Sequence, residues 1–273
     1  MPKVTVLTEG QSAQLDPKES GFAHGFGIFE TMKLAAGRLY LFDAHWHRFM
    51  CSADALGLDC EAKAADVLAG IKTLVETDGL LNAVIKLSLL REGNQTQLFV
   101  YSRPSHVCPK SISLKFCTDA PINESSPLAG HKTHNYMENL LLLLKAKSEG
   151  YSDVLRVNTV GELAETTVGN FFFIREGRLH TPSLRCGVLP GTRRGLVLQL
   201  AHDMKIEVVK GSFGLDALND MDGAFVTNAS VGVLPVHRLM GAGVEYAATE
   251  TLPVITELSH ALSDYEIEHR IDI

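Results

Sequence analysis

The chain has 273 residues, a formal net charge of -7, and a composition that is 45% hydrophobic and 21% charged. These are the values of an ordinary globular protein with ample material for a buried core, and they exclude global disorder. The negative charge disfavours nucleic acid and anionic membrane surfaces as main partners, because both bind clustered lysine and arginine.

The first half of the chain alternates between strand-like and helix-like patterns, which predicts an α+β unit extending to about residue 117. Predicted strands are "KVTVL", a hairpin "GIFETMKLAAGRLYLF" that turns at Ala36-Gly37, "VIKLSLL", "QLFVYS" and "SISLKFC". Apolar residues at helical spacing predict helices in "DAHWHRFMCSADALGL" and "AADVLAGIKTLVETDG". In the first of these, Asp43 is the expected N-cap and Gly57 lies near the end.

The segment "TDAPINESSPLAGHK" is rich in Pro, Ser, Asn and Gly, which is typical of a connector. Beyond it the pattern predicts helices in "NYMENLLLLLKAKSEG" and after "LPGTRRG", with strands in "DVLRVN", "NFFFIREGRLHT", "IEVVKG" and "GAFVTNAS". "LAETTVGNFFF" is expected to start a strand or a loop. The predicted organisation is therefore a domain over 1–117, a connector over 118–130 and a domain over 131–273.

The cysteine pattern and the lengths of the apolar runs indicate where in the cell the protein is expected. The five cysteines are scattered without a CxxC pair, which argues against a metal site or a disulfide framework and fits reduced thiols. The N-terminus "MPKVTVLTEG" has no signal pattern, and the longest apolar run, 140–144, is too short to span a bilayer. We expect a cytoplasmic protein that holds no metal.

Two charged residues stand at the edges of apolar elements. Lys132 follows the connector and is followed by the hydrogen-bonding side chains of His134, Asn135 and Tyr136. It is either a solvated charge at a helix start or a lysine of lowered pKa that forms Schiff bases with carbonyl compounds. Glu165, in "GELAETTVGNFFF", is either a half-exposed strand residue or the carboxylate partner of a heteroaromatic nitrogen, as a pyridoxal phosphate ring requires.

Two turns have the character of phosphate sites. Pro190-Gly191 precedes Thr192 at the start of a predicted helix, where backbone N–H groups point outward with partial positive charge. "VTNASVG", which follows a predicted strand, offers small hydroxyl and amide groups. Many turns of both kinds bind nothing, so each is a weak signal alone.

Arg48 lies in the helical segment "AHWHRF" between two histidines. His45 and His47 lie on different faces of a helix because they are two residues apart, which argues against a two-histidine metal site. Arg48 is either a surface charge or an inward-pointing arginine. In the second case it needs an anion, for which phosphate is the natural choice.

These pieces occur in one order over roughly residues 20 to 240: "GFAHGFGIFETMKL", "KTHNYMENLLLLLKAKSEG", "GELAETTVGNFFF", "GVLPGTRR" and "FVTNASVGVLPV". Together they resemble the class IV aminotransferases, the fold type IV of pyridoxal-phosphate enzymes. That family includes branched-chain aminotransferases, D-amino-acid aminotransferases and 4-amino-4-deoxychorismate lyases. The resemblance implies a two-domain α+β fold, with a smaller N-terminal α/β domain and a larger C-terminal domain with a β-barrel-like core. It also implies pyridoxal phosphate, a small-molecule amine substrate and a homodimer.

The resemblance also implies a role for each matching residue. Lys132, in the K-x-x-N-Y position, would form an aldimine with the cofactor and move the proton at Cα. Glu165 would bond the pyridine nitrogen, Tyr136 the ring's phenolic oxygen and Arg48 the phosphate. The remaining phosphate ligands would come from the backbone of Gly191, Thr192 and Arg193, with Asn228 and Ala229 in the second turn.

The motifs expected to contact the substrate differ from those of each branch of the family. "FET" (Phe29 to Thr31) replaces the F-E-G of branched-chain enzymes, and D-amino-acid enzymes have tyrosine in place of Phe29 and an R-x-H trap absent here. "FET" and "TNASVGVLPV" resemble the lyases, although "REGNQTQ" lacks the second arginine of their R-G-x-G-x-R-G. Ala229 replaces a hydroxyl of the branched-chain enzymes. Candidate substrate contacts are Phe29, Thr31, Lys33, Arg91 and Arg103.

Three functions follow from these observations. The first is a lyase that forms 4-aminobenzoate and pyruvate from 4-amino-4-deoxychorismate. The second is an amino-acid aminotransferase of branched-chain or D-amino-acid type. The third is a non-catalytic relative, against which the presence of both Lys132 and Glu165 argues.

Overall fold

The computed structural model describes residues 4–105 and 108–273. Its helices are α1 (Ser20–Ala23), α2 (Phe42–Ala55), α3 (Ala64–Asp78), α4 (Met137–Ser148), α5 (Thr192–Asp203) and α6 (Pro253–Glu268). Its first strands are β1 (Thr5–Leu7), β2 (Gly27–Ala35), β3 (Arg38–Leu39), β4 (Ala83–Glu92) and β5 (Gln95–Pro104). They are followed by β6 (Ile112–Ile122), β7 (Asp153–Asn158), β8 (Leu163–Thr166), β9 (Asn170–Arg175) and β10 (Arg178–Pro182). The last are β11 (Val208–Gly211), β12 (Gly223–Asn228), β13 (Gly232–Gly241), β14 (Val244–Ala247) and β15 (Ile271–Asp272).

The chain forms two compact units. The first contains the described residues up to 105 together with His131–Asn135 and Glu266–Ile273, and the second contains Cys108–Gly130 and Tyr136–Tyr265. Both mix helices with curved sheets, so the protein has the predicted α+β fold.

A six-stranded sheet in the order β1-β5-β4-β2-β3-β15 forms the first unit, and helices α2 and α3 pack on it. Strand β2 alternates: Ile28, Glu30 and Met32 are buried, whereas Phe29 and Thr31 are half-buried. Because successive side chains point to opposite faces of a strand, Glu30 lies on the core side and Phe29 and Thr31 lie on the other. The β2–β3 hairpin turns at Ala36-Gly37, as predicted, with both residues in the left-handed region.

Helix α2 begins one residue before the predicted cap. Leu41, with a φ of 55°, occupies the N-cap position, and Asp43 lies in the first turn of the helix. The prediction of Asp43 as N-cap was wrong because β3 ends at Leu39 and the chain must reverse within two residues, which the left-handed Leu41 achieves. Asp43 still lies near the positive end of the helix dipole.

A closed ring of paired strands forms the centre of the second unit. The ring runs β9-β12-β13-β6-β7-β8 and closes because Glu165 in β8 pairs with Asn170 in β9. Phe171 and Phe173 join one buried cluster of the barrel strands, whereas Phe172 and Ile174 join a second cluster with residues of α5 and α6. This alternation is expected of a barrel strand that packs on both faces, and it bears out the β-barrel-like core.

The unit borders differ from the predicted domain borders of 117 and 130. Strand β6 pairs in parallel with β7 and β13, so residues from Cys108 belong to the second unit, and the strand continues through Ile122 into the predicted connector. His131–Asn135 joins the first unit because Thr133 pairs with Ile28. In residues 4–105 and 108–273, no helix is long and apolar enough to cross a membrane.

Candidate active site residues

The segment that carries Lys132 is held against β2 by backbone hydrogen bonds. The N–H of Phe29 donates to the Lys132 carbonyl at 2.8 Å, and the N–H of His134 donates to the Gly27 carbonyl at 3.0 Å. Gly27 permits this close approach, because a Cβ there would lie only 3.0 Å from the His134 Cδ2. The backbone on both sides of Thr133 is therefore fixed, and with it the origin of the lysine side chain.

Two lysine amines lie near the ring of Phe29. The Lys86 Nζ is 3.9 Å and the Lys132 Nζ 4.6 Å from the ring centroid. Lys86, on β4, donates to the Thr31 Oγ1 at 2.7 Å. Burial, then the positive charges of Lys132 and Arg103, lower the pKa of Lys86 to about 7. A substantial fraction of Lys86 is therefore neutral at physiological pH.

Lys86 is a functional candidate that the sequence analysis did not name. The available signal was a lysine in the middle of the apolar strand "VIKLSLL", where a charged residue is costly unless it has a partner. By contrast, the predicted substrate contacts Lys33 and Arg91 have other neighbours. The Lys33 Nζ lies 4.9 Å from the Tyr40 ring centroid, and the Arg91 Nε donates to the Gly93 carbonyl at 2.9 Å.

His134 completes the group around Phe29. Its Nε2 lies 2.8 Å from the Ser88 Oγ, and its ring centroid is 5.3 Å from that of Phe29. Burial, then the charge of Lys86, lower the pKa of His134 to about 4, so the imidazole is neutral at pH 7. Asn135 donates from Nδ2 to the Gly25 carbonyl at 3.2 Å and so anchors the end of the segment.

Arg48 points inward, and its anion is a carboxylate. The Arg48 Nε and Nη2 donate to the two Glu30 oxygens at 2.7 and 2.8 Å, and the His45 Nδ1 lies 2.8 Å from the same carboxylate. Burial alone would raise the pKa of Glu30, but the charges of Arg48 and His45 and their hydrogen bonds outweigh it and hold that pKa well below its usual range. The phosphate role of Arg48 stays a prediction.

Glu165 in the second unit is fixed by two hydrogen-bond donors. Its Oε2 accepts from the Asn170 Nδ2 at 2.8 Å and from the Leu189 N–H at 3.1 Å. The same Asn170 amide donates to the Leu189 carbonyl at 2.8 Å. Asn170 is thus a positioning residue that the sequence analysis quoted within a motif without assigning it a role.

Gly191 connects this carboxylate to the start of α5. It holds the N-cap position, and a Cβ there would lie 2.0 Å from the Asn170 Oδ1. The backbone N–H groups of Thr192 and Arg193 lie in the first turn, where helical amides lack carbonyl partners within the helix. Arg194 donates from Nη2 to the Pro182 carbonyl at 2.9 Å, which ties the same turn to β10.

Tyr136 is a buried, protonated phenol. Its hydroxyl donates to the Thr167 carbonyl at 2.7 Å, and burial raises its pKa to about 12. Asn139 donates to the same carbonyl at 2.9 Å, and Asp153 holds the Thr167 hydroxyl at 2.5 Å. The charge of Glu165 also acts on the Tyr136 hydroxyl, so these two predicted residues lie in one neighbourhood.

The second predicted phosphate turn follows β12. The Asn228 Oδ1 accepts from the N–H groups of Ser230 and Val231 at 2.9 and 3.1 Å, and this closes a turn around Ala229. Gly169 packs against Asn228 and the Thr227 carbonyl, which brings this turn beside the β8–β9 connection. The Thr227 hydroxyl is buried and has no hydrogen-bond partner within the described residues.

The chain is similar to known proteins over most of its length. The amino-transferase class IV family model matches residues 27–239. An aminodeoxychorismate lyase of Bacillus subtilis is 27% identical over 246 residues, which cover 85% of this chain and 83% of that protein. A D-alanine aminotransferase of Staphylococcus aureus is 24% identical over 271 residues, which cover 95% of each. A Legionella pneumophila crystal structure provisionally named as a 4-amino-4-deoxychorismate lyase matches with a TM-score of 0.87 and 25% identity, over 97% of this chain and 99% of that one.

Proposed function

The chain belongs to the class IV aminotransferase family and is a pyridoxal-phosphate-dependent enzyme of lyase or aminotransferase type, and from this premise we propose its reaction. We propose that it converts 4-amino-4-deoxychorismate into 4-aminobenzoate and pyruvate. Sequence similarity to the lyase of Bacillus subtilis supports this choice. An amino-acid aminotransferase is the second candidate, supported by the similarity to D-alanine aminotransferase.

We propose that the predicted residues hold the cofactor. The Lys132 amine would bond its aldehyde carbon, Glu165 its ring nitrogen and Tyr136 its phenolic oxygen. Bound pyridoxal phosphate supplies an electron sink for the negative charge that develops beside the substrate amine. The phosphate would be held by Arg48 and by the two turns, through Gly191, Thr192, Arg193, Asn228 and Ala229.

The chemistry of these groups fits that cofactor. Tyr136 stays protonated far above pH 7, and its single O–H, which donates to the Thr167 carbonyl here, would turn to donate to an anionic oxygen of the cofactor. The first-turn amides of α5 form an anion site, and the buried Thr227 hydroxyl needs an acceptor that a phosphate oxygen could supply. Glu165 is held in one orientation by Asn170 and Leu189, as a partner for a ring nitrogen must be.

The observation that carries the lyase assignment is the positive group around Phe29. Lys86 and Lys132 lie over its ring, and Arg103 is close enough to lower the pKa of Lys86. Aminodeoxychorismate carries two carboxylates, whereas an alanine or branched-chain substrate carries one. A doubly charged anion gains more from this cluster, and its approach would keep Lys86 protonated. Lys86 and Thr31 would bind one carboxylate, with Phe29 beneath the substrate ring.

Lys132 is the base in this proposal. It would remove the proton from the carbon that bears the substrate amine. The neighbouring carbon–oxygen bond would then break, its electron pair leaving with enolpyruvate, which takes up a proton to become pyruvate, as the ring becomes aromatic.

We also infer that two copies of the chain associate and that the enzyme works in the cytoplasm. The scattered cysteines without a disulfide pattern support the location. The homodimer is the state expected of this family.

Absorbance and product assays test the proposal together. Purified protein with added pyridoxal phosphate should show a band at roughly 410–430 nm, typical of the cofactor bonded to a lysine amine. It should release 4-aminobenzoate from aminodeoxychorismate, and Lys132→Ala should lose both properties. Sustained amino-acid formation with pyruvate or 2-oxoglutarate, without 4-aminobenzoate, would assign the aminotransferase instead. A protein with no band, whose Lys132→Ala variant matches wild type, would be a non-catalytic relative.

A further inference from the structure

The carbonyl of Thr167 accepts two side-chain hydrogen bonds at once. The Tyr136 hydroxyl donates to it at 2.7 Å, and the Asn139 Nδ2 donates to it at 2.9 Å. Tyr136 is the N-cap residue of α4 and Asn139 lies three residues later, so both side chains project from the same side of the helix start. Thr167 is buried, which leaves its carbonyl little access to water as an alternative donor.

The orientation of the Asn139 amide is fixed by its two neighbours. Its Oδ1 accepts from the Arg156 Nη1 at 3.1 Å. An arginine can only donate and a carbonyl can only accept, so the amide oxygen must face Arg156 and the amide nitrogen must face the carbonyl. The Arg156 Nε donates to the Ala120 carbonyl at 2.8 Å, and its Nη2 donates to the Glu138 Oε2 at 2.7 Å. Asn139 is therefore anchored to β6 and β7 without any contribution from Tyr136.

Thr167 is anchored as well. Its hydroxyl donates to the Asp153 Oδ1 at 2.5 Å, and its backbone N–H donates to the same oxygen at 3.3 Å. Asn139 also acts on the phenol directly. Burial raises the pKa of Tyr136 to about 12, and a hydrogen bond from Asn139 acts in the opposite direction. One amide therefore serves both the carbonyl and the phenolic oxygen.

We propose that Asn139 is a positioning residue that lets the Tyr136 hydroxyl leave the Thr167 carbonyl and donate to the phenolic oxygen of pyridoxal phosphate. The hydroxyl has one proton, so it cannot serve both acceptors. Without Asn139, its departure would leave a buried carbonyl with no side-chain donor, which should weaken cofactor binding on the order of 10-fold. With Asn139 in place, the carbonyl keeps a donor in both states. This inference rests on the cofactor role proposed for Tyr136 and adds the residue that makes that role possible.

The first experiment measures cofactor affinity in wild type, Asn139→Leu, Tyr136→Phe and the double variant. One probe is pyridoxal phosphate, followed by its absorbance band. The other is 4′-deoxypyridoxine 5′-phosphate, followed by fluorescence, which keeps the phenolic oxygen but lacks the aldehyde that would bond Lys132. Asn139→Leu should raise both dissociation constants about tenfold, because the Thr167 carbonyl then loses its last side-chain donor when the probe binds.

The double variant distinguishes positioning from general damage. Tyr136→Phe has no hydroxyl to move, so the loss of Asn139 leaves the carbonyl equally unpaired in the free and in the cofactor-bound protein. In that background, removing Asn139 should therefore change both dissociation constants by less than about twofold. If Asn139 were merely structural, its removal would lower affinity by the same factor in both backgrounds.

A second variant keeps the test informative if Asn139→Leu folds poorly. Asn139→Asp retains the shape of the side chain and its contact with Arg156 but removes both N–H donors, so it should also raise both dissociation constants about tenfold or more. The matched control is Asn219→Leu, at an exposed position of the same unit, which should leave both constants unchanged. Thermal unfolding checks that each variant is folded.

Three results would overturn the inference: equal losses of affinity in the two backgrounds, unchanged affinity in both Asn139 variants, or wild-type affinity in Tyr136→Phe. Formation of 4-aminobenzoate is measured on the same samples. If wild type forms this product, any of the three results removes the inference and leaves the proposed reaction standing. A wild-type protein that binds neither probe and forms no product overturns both.

Discussion

Two groups of ionisable side chains in this protein are controlled in different ways. Around Phe29 in the first unit, burial and like charge act against protonation and lower the pKa of Lys86 to about 7. At Glu165 in the second unit, two hydrogen-bond donors hold a carboxylate in place instead. The Lys86 amine therefore binds its proton weakly until an anion approaches, whereas the Glu165 carboxylate keeps one orientation, as its proposed contact with a ring nitrogen requires.

The first unit also shows what a buried charge needs when it does not react. Glu30 lies on the opposite face of β2 from Phe29, and two cationic or hydrogen-bonding partners, Arg48 and His45, surround it. The two faces of one strand thus carry a carboxylate paired with Arg48 and His45 and, near Phe29, two lysine amines. Substitutions at Glu165, Glu30 and Lys86 separate the contributions of these groups.

The largest effect is expected at Glu165. Glu165→Ala should lower kcat/KM for the proposed reaction on the order of 1000-fold, since the charge proposed to support the electron sink is lost. Steady-state product assays measure it, with cofactor absorbance as the check on loading. Glu165→Asp should recover part of the activity. A loss below threefold for Glu165→Ala would remove this carboxylate from the reaction.

A loss of stability is expected when the buried Glu30 carboxylate is removed. Glu30→Ala leaves Arg48 and His45 without their anion in a buried place, which should lower the free energy of unfolding by about 3–5 kcal/mol. Urea unfolding at pH 7 measures the change. The control is Glu76→Ala, which removes a solvent-exposed pair with Lys72 and should cost less than about 0.5 kcal/mol. Equal effects at the two sites would contradict the argument.

Lys86 should make stability depend on pH. Because its folded-state pKa of about 7 lies below the ordinary 10.5, the unfolded chain holds a proton between these values that the folded chain has lost. Wild-type stability should therefore rise across that window, and charged Lys86 costs the most below pH 7. Lys86→Met should be more stable than wild type at pH 6, on the order of 3 kcal/mol, and the gain should shrink as pH rises towards 10.5.

Urea unfolding at several pH values tests this dependence. Lys72→Met, at an exposed position of α3, is the control and should show no comparable pH-dependent gain. The proposed substrate role adds a second expectation: the more stable Lys86→Met variant should lose activity. A pH-independent difference between Lys86→Met and wild type would contradict the lowered pKa.

The smallest effect is expected at the helix cap that touches Asn170. Gly191→Ala places a methyl group 2.0 Å from the Asn170 Oδ1, so Asn170 must move away from Glu165 at a cost of about 1–3 kcal/mol. Gly195→Ala, four residues on in α5, meets nothing within 4 Å and should stabilise the protein by about 0.5–1 kcal/mol. Thermal unfolding compares them, and effects of the same sign would refute the close-contact explanation.

Local patterns predicted much of this fold. The Ala36-Gly37 turn and the helices around Arg48 and after Lys132 were all visible in short windows of sequence. The strand of Glu165 was not separated from the next one, because β8 has four residues and its pairing with β7 and β9 is not encoded nearby. The border near residue 117 differed for a similar reason, since β6 pairs in parallel with strands far along the chain.

The sequence by itself determined the family, through ordered motifs around Lys132 and Glu165, because those motifs are runs of residue types that can be read without coordinates. Only the tertiary structure decided which charges are buried and beside what. Lys86 became a candidate once β2, β4 and the Lys132 segment met at Phe29, and Glu30 once α2 brought Arg48 to it. The physical reason is that burial and charge pairing depend on neighbours distant in the chain, whereas turn, helix and strand preferences depend on neighbours close by.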